Sequence, residues 1–315
     1  MRNNIWLIGL GEMGIEYSKV LKNLGAGFIA IGRGEISSHH YEKIIFKKPI
    51  TGGLSSYLDQ EPKKPDFVIV TVGVDSLYPI TDLLVKYGVR KILLEKPGGI
   101  DKEQINSLYK ISKQFKSKIF VAYNRRFYSS SDRVLQIIKG DGGVKSFSFD
   151  FTEIIDKIKE SNIPMVVKEK MLLANSTHVI DLAFYLCGKP DKISTFHKGA
   201  LDWHSSSSIF SGSGISVRGA LFSYSANWEA PGRWGIEIIT KKHKILLQPL
   251  EEVRVQKRGN FNYSKINLDN QFDKKFKPGI YKMVKTFLLN DTQNHCSIEY
   301  HDSLMDIYYK IANYS

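Results

Sequence analysis

Apolar residues fall in two patterns along this chain, and the change between them divides it. Ile5-Trp6-Leu7-Ile8, Phe28-Ile29-Ala30-Ile31, Phe67–Val72, Lys91–Leu94 and Lys118–Ala122 are near-continuous apolar runs punctuated by glycine, proline or charge. Runs of that length predict strands buried on both faces, as in a parallel sheet. Ile44-Ile45-Phe46 reads as a further short strand. Between them, Ile15–Leu24, Leu77–Tyr87 and Lys102–Phe115 carry helical spacing. Strand and helix in alternation predict a doubly wound α/β layer over residues 1–122.

After that the period becomes two. Val144–Phe151 alternates, placing Phe147, Phe149 and Phe151 on one face, and Ile215–Trp228, Trp234–Ile239 and Lys244–Leu247 read as more strands. Strands without intervening helices predict a mostly antiparallel sheet in residues 123–315. Ser205–Ser208 reads as a loop. Pro278–Leu289 looks helical, and a final helix over Ser303–Ala312 carries Leu304, Ile307, Tyr308 and Ile311 on one stripe.

Composition changes this picture little. Of 315 residues, 42% are apolar and 24% charged, the balance of an ordinary globular protein. The 45 basic residues outnumber 32 acidic ones, a formal charge of +13, but they are dispersed apart from short clusters such as Lys241-Lys242-His243-Lys244. No zinc spacing or aromatic RNA-binding signature accompanies them, so a solvated basic surface is expected, with no nucleic-acid partner and no metal site. Cys187 and Cys296, far apart in sequence, point to a reducing compartment. No run has transmembrane length, and residues 1–10 lead into a strand rather than a signal peptide. A cytoplasmic protein without a membrane partner is the expectation.

The chemistry begins at the first strand. Gly9, Gly11 and Gly14 follow it with the spacing G-x-G-x-x-G, and a helix starts at once. Gly9 permits a tight turn, Gly11 lets a pyrophosphate approach the backbone, and Gly14 lets helix and strand pack closely. Glu12 and Met13 complete the first helical turn, whose free amides suit an anion. At the tip of the second strand, where an acidic residue commonly holds an adenosine ribose, stands Gly32-Arg33-Gly34. A guanidinium there can bind a 2′-phosphate in a bidentate way, which favours NADP(H) over NAD(H).

Four motifs then occur in order: the glycine fingerprint, Glu95-Lys96-Pro97, Tyr123-Asn124-Arg125-Arg126-Phe127 and Thr177-His178-Val179-Ile180-Asp181. Together they resemble the Gfo/Idh/MocA family of oxidoreductases across nearly the whole chain. The resemblance implies an N-terminal Rossmann domain with a doubly wound parallel sheet. It also implies a C-terminal α+β domain with a large, mostly antiparallel, open-faced sheet that often forms a homodimer or homotetramer interface. By the same resemblance Lys96 contacts the nicotinamide ribose and the reacting oxygen, beside Glu95, and Asn124 lines the nicotinamide end. Arg126 lines the substrate pocket, and His178 is the general acid/base. Many members carry an aspartate four residues before that histidine; here it is Ala174, followed by Asn175, which cannot titrate and is a candidate substrate contact.

Independently of the family, hydride transfer at an alcohol carbon requires proton removal, a task for histidine, while a lysine ammonium stabilises developing alkoxide charge. His178, Asp181 and Leu182 share one helix face. His197, Trp203, His204, Trp228 and Arg233 are candidate sugar contacts, with sheet packing as the alternative. The expected function is nicotinamide-dependent oxidoreduction of a sugar or sugar derivative, a nucleotide-linked sugar among them. A cofactor-binding regulator without turnover and an NAD-dependent glycosidase are the alternatives.

Overall fold

The computed structural model describes residues 4–315, which divide into two compact units. The first takes residues up to Asn124 together with Phe272–Ser303; the second takes Arg125–Gln271 and Leu304–Ser315. The first junction lies between Asn124 and Arg125. The return of residues 272–303 to the first unit has no counterpart in the sequence reading.

The first unit opens with β1 (Ile5–Ile8), α1 (Glu12–Asn23), β2 (Phe28–Ile31), α2 (Glu35–Ile45) and α3 (Gly53–Leu58). It continues with β3 (Phe67–Val70), α4 (Val74–Tyr87), β4 (Lys91–Leu94), α5 (Lys102–Gln114) and β5 (Lys118–Val121). Strands β1 to β5 pair in parallel in the order β5-β4-β3-β1-β2. β1 and β3 are buried at every position, which explains their unbroken apolar sequences.

One expectation fails here. Ile44-Ile45-Phe46 is not a strand: Ile45 closes α2, and Phe46 caps it in the left-handed region at φ 52°. The helical period wins because Ser38, Tyr41 and Ile45 form a buried face, and Ser18 and Tyr41 share a 2.6 Å hydroxyl–hydroxyl hydrogen bond that ties α2 to α1. Beyond β2 the chain meets the sheet edge at an isolated parallel bridge of Ile31 with Ile50.

The second unit contains α6 (Ser129–Gly140), β6 (Val144–Asp150), α7 (Ile155–Glu160), α8 (Met165–Lys168), a π-helical turn (Leu172–Ser176) and α9 (Thr177–Cys187). Then follow β7 (Pro190–Lys198), β8 (Ile209–Ser216), β9 (Leu221–Asn227), β10 (Gly235–Thr240), β11 (His243–Leu247), β12 (Arg254–Lys257) and β13 (Ser264–Lys265). Their order is β13-β12-β11-β10-β6-β9-β8-β7. All pairs are antiparallel except β6 with β9. Phe147, Phe149 and Phe151 are buried; Phe147 stacks on Phe222 and Phe149 on Tyr224, and Phe184 of α9 meets Phe149 edge-on. One face of the sheet therefore packs on α9. The other carries Ser148, Ser211, Ser223, Ser225 and Glu237 along an open surface. The sequence reading missed α6, α7, α8, β7, most of β8, β12 and β13.

The chain closes with α10 (Gln271–Lys275), α11 (Ile280–Leu288), β14 (Cys296–Ser297), α12 (Ile298–Asp302) and α13 (Met305–Ala312). β14 adds an antiparallel edge to the first sheet beside β5, and Phe287 of α11 meets Phe67 and Phe120 edge-on. The single terminal helix expected over Ser303–Ala312 begins at Met305. Among the described residues no helix is long and apolar enough to cross a membrane.

Candidate active site

In the first unit the carboxyl ends of β1, β2 and β3 surround a cavity of about 420 Å³, lined among others by Gly9, Gly11, Gly32, Arg33, Ser37 and Gly73. Each glycine can be tested by the Cβ it lacks. At Gly9, φ is +105° and a Cβ would lie 2.7 Å from the Thr71 backbone; at Gly14 it would lie 2.2 Å from the Gly9 carbonyl oxygen. At Gly11 nothing lies within 4 Å. The first and third glycines thus close a turn, and the middle one faces open space where a ligand can reach the backbone. Gly11 is also the N-cap of α1 and supplies no capping side chain, so the amides of Glu12, Met13 and Gly14 are those a phosphate would use. These residues fit a dinucleotide.

Arg33, exposed, sits in the wall of this cavity with Gly34 and Ser37. The nearest following carboxylate, Glu35, starts α2 and is not among the lining residues. No acidic group in the wall opposes a 2′-phosphate.

At the end of β4 the cis Lys96–Pro97 bond follows Glu95. Tyr17 donates from its hydroxyl to Glu95 Oε1 at 2.7 Å. Burial pushes the Glu95 carboxyl above its ordinary range, against the Tyr17 hydrogen bond and the Lys96 and Lys277 charges. His301 of α12 donates from Nε2 to the Pro97 carbonyl at 2.9 Å, anchoring the turn after Lys96 from 204 residues away. No local signal could have revealed that contact. Asn124 donates from Nδ2 to the Pro278 carbonyl at 2.9 Å, and Lys277 Nζ lies 3.2 Å from Met13 Sδ.

The second unit has its own cavity, about 240 Å³, lined by Arg125, Thr152, Glu153, Arg233, Trp234 and neighbours. The Arg125 guanidinium lies 4.8 Å from the centre of the Trp234 ring. His178, in the first turn of α9 and 7% exposed, presents its ring to Trp234 at 6.2 Å. Glu153 accepts from Asn175 and Ser176 in the turn before His178.

Other candidates lie elsewhere. Arg126 forms a bidentate pair with Asp181, Nε to Oδ2 at 2.7 Å and Nη2 to Oδ1 at 2.5 Å, with both side chains under 5% exposed. Arg126 is absent from the cavity wall, where its neighbour Arg125 stands. Trp203 stacks on Trp228 at 6.1 Å inside a cluster with His204 and Phe210. The Trp228 indole donates to the Phe151 carbonyl at 3.2 Å. His197 bonds the Ile311 carbonyl at 3.2 Å. Trp203, His204 and Trp228 are buried in this cluster, and His197 is half-buried beside it. Glu153 was missed because nothing in its sequence setting marks it.

No protein-family profile matches the chain, and no curated protein sequence matches it. Solved structures do. UDP-N-acetylglucosamine 3-dehydrogenase from Acidithiobacillus ferrooxidans superposes with a TM-score of 0.76 at 11% identity, over 99% of this chain and 97% of that one. An oxidoreductase from Agrobacterium radiobacter, in complex with NAD+, L-tartaric acid and magnesium, gives 0.78 at 12% over 98% and 94%. Levoglucosan dehydrogenase, in complex with NADH and L-sorbose, gives 0.79 at 17% over 99% and 96%. The architecture is the one that the resemblance to the Gfo/Idh/MocA family implies, and the chain shares its fold over nearly its whole length with these oxidoreductases.

Proposed function

We propose that this protein is a nicotinamide-dependent oxidoreductase that interconverts a hydroxyl and a keto group on a sugar or sugar derivative, and that it prefers NADP(H). The observation that carries the reading is the cavity at the start of α1, where Gly11 leaves the backbone open to a pyrophosphate and Arg33 stands in the wall without an opposing carboxylate. Neighbours that act on a nucleotide-linked sugar and on levoglucosan support the substrate class.

When bound, the nicotinamide supplies the hydride acceptor or donor. The rest falls to this chain's own side chains. Lys96 stabilises negative charge on the reacting oxygen, and His178 takes or returns the hydroxyl proton. Trp234, backed by Arg125, offers a flat face to a sugar ring. Exposed Phe196, Leu221 and Val217, on β7 and around the β8–β9 turn, support a homo-oligomer formed through that sheet. A cytoplasmic location is supported by Cys187, buried and outside any disulfide.

Titration with NADPH and NADH, for the native chain and Arg33→Ala, tests the cofactor. The expected result is tighter NADPH binding that Arg33→Ala weakens by about tenfold or more, the worth of a charge-assisted hydrogen bond. Equal affinities unaffected by the change would refute the preference. A panel of sugars and sugar nucleotides, followed by nicotinamide absorbance, tests the reaction. Lys96→Ala should abolish turnover, and His178→Ala should slow it about 10²–10⁴-fold.

A further inference from the structure

Past the end of β6 the chain runs into Thr152 and Glu153. Glu153 is 8% exposed, yet it lines the second unit's cavity with Arg125 and Trp234. Asn175 Nδ2 donates to its two oxygens at 3.2 and 3.0 Å, and Ser176 Oγ donates to Oε1 at 2.6 Å. Asn175 and Ser176 end the π-helical turn that leads into α9 and His178. A π-helical turn at such a junction is a frequent mark of a functional site.

The pairing settles which way the Asn175 carboxamide lies. A carboxylate only accepts, so the group facing it is the NH₂, and the amide oxygen is turned the other way. That oxygen takes no hydrogen bond from the described residues; Asn175 is half-buried and does not itself line the cavity, but it is bonded to Glu153, which does. An asparagine free to rotate reads donors and acceptors alike; one locked by a carboxylate reads only donors.

We propose that Glu153 and Asn175 form a hydroxyl-reading pair in the substrate site described above, a reading on which this inference rests. Glu153 is the positioning residue, and Asn175 accepts a hydrogen bond from a substrate O–H. The substrate class is thereby a sugar with a free hydroxyl at that place. A deoxy carbon leaves the amide oxygen unpaired, and a carboxylate or phosphate sets acceptor against acceptor beside the Glu153 charge.

The test compares hexoses and UDP-hexoses with their monodeoxy counterparts, by calorimetric binding and by steady-state turnover. For the native protein one deoxy isomer should bind and react about 10- to 100-fold more weakly than its parent. Glu153→Gln offers Asn175 an amide in place of the carboxylate and lets it turn over. The preference should then fall toward one, with KM raised and kcat within a few-fold of native. The double change Glu153→Gln/Asn175→Asp rebuilds the pair with donor and acceptor exchanged, leaves an oxygen toward the substrate, and should restore the preference.

A purely structural Glu153 gives a different outcome: Glu153→Gln lowers the melting temperature while the hydroxyl preference stays native, which overturns the proposal. Should Glu153→Gln fail to fold, Asn175→Ala keeps the Glu153–Ser176 bond and decides the matter, native discrimination again overturning it. A native protein that binds NADPH but neither binds nor turns over any sugar overturns the proposed reaction itself, and this inference with it.

Discussion

Lowering the pH should destabilise the second unit through one buried histidine. His204 is fully buried, packed against Trp228 at 4.8 Å and near Trp203. Burial favours the neutral form, against the bond to the Ser207 carbonyl, which favours the charged ring. Nδ1 donates to the Ser207 carbonyl at 2.7 Å, and Nε2 faces the Tyr314 hydroxyl at 2.8 Å. That hydroxyl already accepts from the Leu172 amide at 3.2 Å, so its proton points to Nε2. A second proton on the ring would displace it, in a site where burial already opposes charge and Lys170 adds repulsion. The imidazole pKa is accordingly pushed down from about 6.5 to about 4.

The sign follows from where the protons go. Above pH 6.5 neither the native nor the unfolded chain protonates this ring, and the stability is intact. Between about 6.5 and 4 the unfolded chain binds the proton and the native one does not, so stability falls with pH. Below about 4 both bind it and the contribution is flat. At ~1.36 kcal/mol per unit the full loss is about 3 kcal/mol, and about 2 kcal/mol by pH 5. Urea unfolding from pH 7.5 to 4.5, followed by tryptophan fluorescence, reports on Trp203 and Trp228 directly. The control is His204→Gln, whose amide can serve both partners and cannot titrate. Carboxylate contributions are common to both proteins, so the difference between their curves isolates the histidine. Parallel curves across this range would refute the reasoning.

Three further outcomes follow from distances in the two units. Gly14→Ala should destabilise the first unit and abolish cofactor binding, because its Cβ meets the Gly9 carbonyl at 2.2 Å; Gly11→Ala should melt like the native chain but bind NADPH more weakly, nothing in the protein lying within 4 Å. Circular dichroism melts with parallel cofactor titrations separate the two effects. Arg126→Leu strands the buried Asp181 charge and should cost about 3–5 kcal/mol in chemical denaturation, whereas Arg126→Met/Asp181→Leu should recover most of it. His301→Ala removes the donor to the Pro97 carbonyl and should lower kcat through Lys96 while NADPH affinity stays within a few-fold, measured by turnover and fluorescence titration.

The first unit was legible where burial is two-sided. β1 and β3 each carry four apolar residues in a row and β4 carries three, and such runs stand out against the glycine, proline and charge around them. Ile44-Ile45-Phe46 carried the same local signal, but three residues cannot show whether their period is two or 3.6. The partner that decided it, Ser18 on α1, lies 23 positions from Tyr41. β7 escaped notice for the opposite reason. Its alternation of half-exposed and exposed residues puts no apolar stripe on display, and its pairing with β8 is what makes it a strand.

The site was legible to the extent that chemistry is tied to spacing. The three glycines report backbone geometry, which is a local property, and the turn they predict is the one the fold makes at Gly9 and Gly14. Arg125 and Arg126 show the limit. Adjacent in sequence and identical in type, they differ only in what the fold brings to them: Asp181 to one, Trp234 to the other. Ala174 shows it more sharply. Read along the chain, it is an empty position in the turn before His178, followed by an asparagine that cannot titrate. In the folded unit that turn does hold a carboxylate, Glu153, which arrives from the end of β6 and binds Asn175 and Ser176. A spacing motif registers only the charge its own helix carries. A carboxylate that a neighbouring strand delivers across 22 residues leaves no mark in that motif.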